Sequence, residues 1–403
     1  MFSFKGFFTT DKNTHLEHLE DDIINRGSKG GDNAINFLKS VRDMLAGHSS
    51  SKTNVTVKWD GAPAIICGRN PENDKFFVGT KSVFNKTPKI NYTLRDIGIN
   101  HSGAVATKLG ECLKYLKGLN IKGVLQGDLL FTDDKKNISI NGESMISFTP
   151  NTITYAVPVD SGIGKRIARA KIGIVFHTQY SGKDMKSLSA SFGTVKSSSN
   201  SNVFLASAGY KDTSGNATFT GTELKTFDAQ IRMAEGSLKQ ARSILDLMSS
   251  SSRDQLSVGF RLKSFFNFYI KNSNSNIGKV SIMQNQFRDY YDSFIQQEID
   301  ARKTDRGKEK YKQARKVNLK FIDSNKKALY MAIASHITLA TCKNTLLQKM
   351  NQIQGIGNFI RTSKGYRVTA PEGYVAVDKA AGAVKLVDRM EFSRANFTLP
   401  KGW

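Results

Sequence analysis

From Val55 to about Val83 the apolar residues of this chain fall in short β-type runs, VTVKW, AIICG and KFFVGT, punctuated by Gly and Pro. On either side the period is different. Upstream, Leu16, Leu19, Ile23 and Ile24 recur at helical spacing behind a capping box of Thr14 and Glu17. Ile35, Leu38, Val41 and Leu45 then share one face of a second helix over Ala34 to Leu45. Downstream, a helix near Ala104 to Leu116 precedes an apolar strand, VLQGDLLF, at 124–131, and further strands follow near 152–157 and 171–177. Residues 181–222, rich in Ser, Gly, Thr and Asn, read as loops or weak strands. Helical spacing takes over from Leu224 to about Met350, and strands return from Tyr366 in YRVTA, GYVAV and AVKLVD. Blocks in this order predict an α+β domain interrupted by a helical module. The expected boundaries are an N-terminal helical segment at 1–50, the first part of the sheet domain at 51–222, a basic helical insertion at 223–350 and closing strands at 351–403.

Charge narrows the partners. Fifty-nine Lys and Arg stand against 35 Asp and Glu, a net +24, which favours a polyanionic partner through counterion release. Cys67, Cys112 and Cys342 are far apart and form no CxxC pair, so neither a disulfide framework nor a zinc site is expected, and a reducing, cytoplasmic compartment is. The N-terminus turns polar too soon for a signal peptide, and no stretch approaches the ~20 apolar residues of a membrane helix. No membrane and no obligate protein partner is expected.

Within the β-rich block, VTVKWDGAPAI places Lys58 at the end of a strand, directly before a Gly-containing turn. Lys58-Trp59-Asp60-Gly61 resembles motif I of the covalent nucleotidyltransferase superfamily, which contains the ATP-dependent DNA and RNA ligases and the mRNA capping enzymes. Five further segments resemble that family's motifs in order: FFVGTKSVF with Lys81, VLQGDLLF with Asp128, KIGIVFH with Phe176, PEGYVAV with Glu372 and Gly373, and AVKLVD with Lys385. The resemblance covers roughly residues 50–180 and 365–390; residues 225–350 have no counterpart.

What the resemblance implies is an ATP-grasp-like ligase domain of antiparallel sheets around an ATP cleft. Lys58 is the implied nucleophile and Lys385 the phosphate-binding lysine. Thr56, Lys81, Asp128, Phe176, Glu372 and Lys385 are the implied nucleotide contacts, with Phe176 stacking on adenine. Asp128 and Glu372 suit Mg²⁺ or Mn²⁺, hard cations that take oxygen ligands. An amine attacks phosphorus only when unprotonated, so burial and the cations Lys385 and Lys81 are expected to lower the Lys58 pKa. Asp60 is expected to hold the turn. His177 reads as an ordinary strand histidine.

The chain departs from the family at several points. Pro63 stands where many members have Arg, Asp128 where the third motif has Glu, and Val387 where the fifth motif has a second lysine; Lys379 or Arg389 could supply that charge. The sequence ends thirteen residues after Met390, so no C-terminal OB-fold is expected. That makes RNA ligases, phage enzymes among them, the closest in architecture, and a host cytoplasm the place if the chain is viral. The run RKTDRGKEKYKQARK is the expected nucleic-acid grip, through Arg302, Lys303, Arg306, Lys308, Lys310, Lys312, Arg315 and Lys316, with Tyr290, Tyr291 and Tyr311 as stacking candidates. The expected function is ATP-dependent joining of 5′-phosphate and 3′-hydroxyl ends of RNA, or less favourably DNA, through lysyl-AMP. The alternatives are a GTP-using capping guanylyltransferase and a non-catalytic nucleic-acid-binding protein with a degenerate nucleotide pocket.

Overall fold

The computed structural model describes residues 17–46, 53–140, 142–192, 200–206, 218–252, 254–272, 279–352, 357–362, 365–368, 372–378 and 382–390. Its first long helix, α1 (Asp22–Leu45), buries Ile23, Ile24, Ile35, Leu38, Val41 and Leu45 along one stripe. The first expected segment starts later than expected, at Leu19, because His18 before it bridges to Lys385 instead, while the second lies within α1, which is bent at Gly27 (φ 61°). A Cβ there would lie 2.3 Å from the Asp246 carboxylate. That carboxylate accepts from the Ser28 amide at 2.6 Å and so caps the second half of the helix. Thr14 of the expected capping box lies outside the described residues.

The β-rich block runs β1 (Thr53–Lys58), β2 (Ala64–Arg69), β3 (Phe76–Gly79), helices α2 (Leu94–Asn100) and α3 (Gly103–Leu116), then β4 (Val124–Phe131), β5 (Lys136–Ile140), β6 (Glu143–Phe148) and β7 (Ile153–Pro158). Helix α4 (Gly162–Arg169) leads into β8 (Ile172–Ser181), β9 (Ser189–Phe192) and β10 (Val203–Ala206). Five helices follow: α5 (Gly221–Ser249), α6 (Val258–Asn272), α7 (Val280–Asp300), α8 (Asp305–Ser324) and α9 (Lys326–Met350). The chain closes with β11 (Gly357–Thr362), β12 (Gly365–Val368), β13 (Gly373–Asp378) and β14 (Gly382–Leu386).

These strands make three sheets among the described residues. One has the order β10-β8-β4-β2-β3 with β9 also on β8; a second is β12-β11-β7-β6-β5; the third is β1-β13-β14. Pairing is antiparallel except for β10, which lies parallel to β8. The fold is therefore α+β with antiparallel sheets. No helix among the described residues is long and apolar enough to cross a membrane.

The small third sheet is what positions the site. Alternate residues of a strand face opposite sides. Val55, Tyr374, Val384 and Leu386 join the same buried cluster as Leu38 of α1, Phe227 and Leu238 of α5, and Leu339 and Leu346 of α9. Each such aliphatic or aromatic side chain contributes about 1.5–3 kcal/mol when fully buried. The helices after β10 thus share one core with α1 and with this sheet. The opposite face of the sheet, carrying Lys58 and Lys385, is turned away from the helices.

Candidate active site

Lys58 ends β1 in register with Gly373, and Thr56, Val375 and Lys385 are aligned across the same sheet. Of Thr56 only the backbone is described. After Lys58 the chain turns sharply towards β4. Gly61 permits this, because a Cβ there would lie 2.5 Å from Cβ of Asp128. The turn is then pinned by Ala62, whose amide donates to Leu129 O at 2.9 Å. Asp60 is buried and accepts from Asn151 Nδ2 at 2.7 Å, Thr152 N at 2.6 Å and Ile153 N at 2.7 Å, while its own amide donates to the Tyr155 hydroxyl at 2.7 Å. It ties the turn to the start of β7, and its oxygens are spent on that task.

Lys58, Asp128 and Glu372 meet here from three distant segments. The Lys58 ammonium forms an ion pair with Glu372 Oε2, which is otherwise without an aligned hydrogen bond. Burial depresses the Lys58 amine, yet Glu372, Asp128 and Asp60 outweigh it and hold the amine above its ordinary range. The expected lowering is therefore not found, because three carboxylates surround the amine. Glu372 is pushed upwards, first by burial and then by Asp60 and Asp128 against the pull of Lys58. The depressed lysine is Lys385, brought down to about 8 by burial and by the neighbouring Lys58, with Lys81 adding to the effect. Lys81 itself is exposed on the 3-10 turn Lys81–Phe84 after β3.

The donor set can be tested against a divalent cation. Among the described residues no group of three or more His, Cys, Asp or Glu could hold a metal alone. Asp128 is close enough to Glu372 to help push the Glu372 carboxyl upwards, and the pair fits a hard cation whose remaining oxygen ligands come from outside the chain.

Phe176 is not part of this cluster. It pairs with Gly127 while Asp128 pairs with Val175, so it takes the opposite face of the sheet. It is 5 % exposed, in a core with Leu109, Cys112 and Leu116 of α3. A base at the cluster cannot stack on that ring. The residue beside Asp128 is His177, the extra residue of a bulge between the Gln126–Thr178 and Gly127–Phe176 pairs. Its Nε2 lies 3.4 Å from Asp128 Oδ2, and its Nδ1 lies 2.8 Å from Thr178 Oγ1.

Behind the small sheet lies a buried ionic cluster that sequence reasoning missed. Lys343 of α9 donates to Glu20 at 2.6 Å, Arg389 donates to Asp21 at 2.9 Å, and His336 lies 3.0 Å from Asp21 with its ring stacked on Phe266. Against burial, Lys343 and Arg389 bring Glu20 down to about 2, and Arg389 and His336 take Asp21 lower still. Arg389 is therefore committed here and does not replace the missing lysine of the fifth motif; Lys379 lies outside the described residues. The cluster borders the site, since Lys385 N donates to Glu17 O at 2.9 Å and Lys263 of α6 pairs with the Glu17 carboxylate at 2.8 Å.

The basic run forms the turn after α7 and most of α8. Arg302 is drawn onto Glu298 and the Tyr311 ring, and Arg315 pairs with Asp292 at 2.7 Å. Lys308 is half-buried, whereas Lys303, Arg306, Lys310, Lys312 and Lys316 are exposed. Tyr291 is fully buried with its hydroxyl on Leu256 O at 2.8 Å, so it packs the core and stacks on nothing outside.

No curated protein and no solved structure matches the chain. A family match covers residues 13–401, nearly the whole length and every element that carries the charged site. The chain belongs to DUF6267, a family of unknown function.

Proposed function

We propose that this protein is an ATP-dependent polynucleotide ligase, with RNA favoured over DNA, that works through a lysyl-AMP on Lys58. The observation that carries the reading is the meeting of Lys58, Asp128, Glu372 and Lys385 in one charged cluster, the last two from a segment more than 200 residues beyond the others. Lys58 Nζ attacks the α-phosphorus of ATP, the N–P bond forms, the bond to the bridging oxygen breaks and pyrophosphate leaves. AMP then passes to a 5′-phosphate, and a 3′-hydroxyl attacks that activated end and releases AMP.

The chain's own residues prepare the first step. Glu372 Oε2 faces Nζ and fixes the protonated amine in place, and the proton passes to water when that pairing weakens. A divalent cation held by Asp128 and Glu372 would supply charge that offsets the phosphates and weakens the carboxylates' hold on the Lys58 proton. Lys385, and Lys81 from the turn after β3, supply positive charge to the phosphate groups. The exposed cations of α8 and the turn before it offer a sequence-independent grip on the strand.

Incubation with α-labelled ATP or GTP and Mg²⁺, then denaturing electrophoresis, tests the reading. A band with ATP that is lost in Lys58→Ala is expected. Preferential labelling by GTP would select a guanylyltransferase instead. A band that survives Lys58→Ala would sink the assignment.

A further inference from the structure

A second basic surface lies away from α8, where the last turn of α4 meets the start of β10. A cavity of about 260 Å³ opens there, lined by Arg166, Arg169, Asn200, Ser201 and Phe204. Both arginines are exposed, and among the described residues neither forms an ion pair. The Arg166 guanidinium sits 5.5 Å from the centroid of the Phe204 ring, which fixes one side of the opening. Lys165 and Lys171, also exposed, continue the positive charge beyond the cavity.

The ordinary explanation for cations at this place is a helix C-terminus, whose free carbonyls attract positive charge. That role is already filled. Lys135 donates to Ile167 O at 2.9 Å and Ala168 O at 3.3 Å, and also to Ala170 O. The two arginines therefore add charge that the helix end does not require.

We propose that the Arg166–Arg169 cavity docks the phosphate backbone of a polynucleotide strand, at a site separate from α8. The opening suits a phosphate with its sugar and is too small for a folded partner's helix. Guanidinium forks match phosphate oxygens in pairs, and Asn200 and Ser201 add polar groups for the sugar. The extension of charge through Lys165 and Lys171 fits a ligand with repeated charges rather than a single free phosphate. The place is also right for the charged site. Ile163 of α4 packs in the same cluster as Trp59, the neighbour of Lys58. β8 begins beside the cavity and reaches His177, next to Asp128, six residues after Lys171, about 20 Å along an extended strand. A strand seated here can run several nucleotides to the reacting end. That path rests on the ligase reading; the docking itself does not.

The test is Arg166→Glu with Arg169→Glu in the full chain, read by fluorescence anisotropy against a single-stranded RNA of about a dozen nucleotides across a salt series. The expected result is at least a tenfold loss of affinity at low salt, with the slope of log affinity against log salt shallower by about 1.4 for two lost phosphate contacts. ATP labelling should stay at the wild-type level. Arg166→Gln with Arg169→Gln gives the same reading without reversed charge if the first variant folds poorly. Unchanged affinity and slope would overturn the proposal, as would loss of binding only in an Arg306→Glu, Lys310→Glu variant of α8. Wild-type protein that binds anionic phospholipid vesicles but no RNA would overturn it too. If the wild type takes no label from ATP and the double variant still loses RNA, the docking stands and the ligase reading falls.

Discussion

Lys385 is expected to weaken the fold it belongs to, and replacing it with methionine measures how much. The ammonium is held partly buried on β14 with Lys58 and Lys81 nearby, against the partial help of Glu372 and Glu17. A fall in pKa from 10.5 to about 8 costs the folded state about 3 kcal/mol while the lysine is charged. The sign is fixed by which state holds the proton more tightly. Between pH 8 and 10.5 the unfolded chain keeps a proton that the folded chain has released, so folding is penalised below 8 and the penalty disappears as pH rises to 10.5. Lys385→Met keeps most of the side-chain volume and removes the charge. Urea unfolding at pH 7 should show the variant more stable by about 2–3 kcal/mol, with the gain gone by pH 10.5. ATP labelling of the same variant should fall at least tenfold, since a group kept at such a cost is there for the phosphates. A variant less stable than wild type at pH 7, or a gain that persists unchanged at high pH, would refute the reasoning.

Three further outcomes follow from the packing. Asp60→Ala strands the donors of Asn151, Thr152 and Ile153 and should cost about 3 kcal/mol in urea unfolding; wild-type stability would show that the turn is held by something else. Arg389→Met leaves Glu20 and Asp21 short of a buried partner and should destabilise by about 3–5 kcal/mol at pH 7. The cluster's contribution should be present above about pH 4.5 and fade as pH falls towards 2, where Glu20 takes up its proton in the folded state. Phe176→Ala should lose about 3–5 kcal/mol as a core cavity while the folded fraction still labels with ATP at the wild-type KM; a raised KM with little loss of stability would return that ring to the nucleotide.

The blocks of changing period were enough to place β1 with Lys58 at its end, β4 with Asp128 and the helical stretch before the closing strands. Local pattern also held a clue to Phe176. Ile172 and Ile174 alternate with it, so all three belong on one face of β8, and that face is the core. The resemblance to nucleotidyltransferases pointed the other way, and the bulge that brings His177 beside Asp128 has no mark in the sequence. The ionic cluster was not legible at all. Glu20 and Asp21 stand between Leu19 and Ile23 with nothing local to pair them, and their partners Lys343 and Arg389 lie 323 and 368 residues away. Gly27 shows the same limit: two helical segments were visible, but the carboxylate that shapes their junction comes from α5, 218 residues on. The Lys58 pKa depends on which charges converge in space, and the sequence named its cations without weighting its three carboxylates.

The central claim is a covalent bond between Lys58 and AMP, and peptide mapping of the protein after incubation with ATP and Mg²⁺ examines it most directly. The account predicts an adenylyl group on the peptide containing Lys58 alone, removed by added pyrophosphate with return of ATP. An adenylyl group on another lysine, or an unmodified Lys58 peptide even after pyrophosphate treatment and fresh ATP, would contradict it.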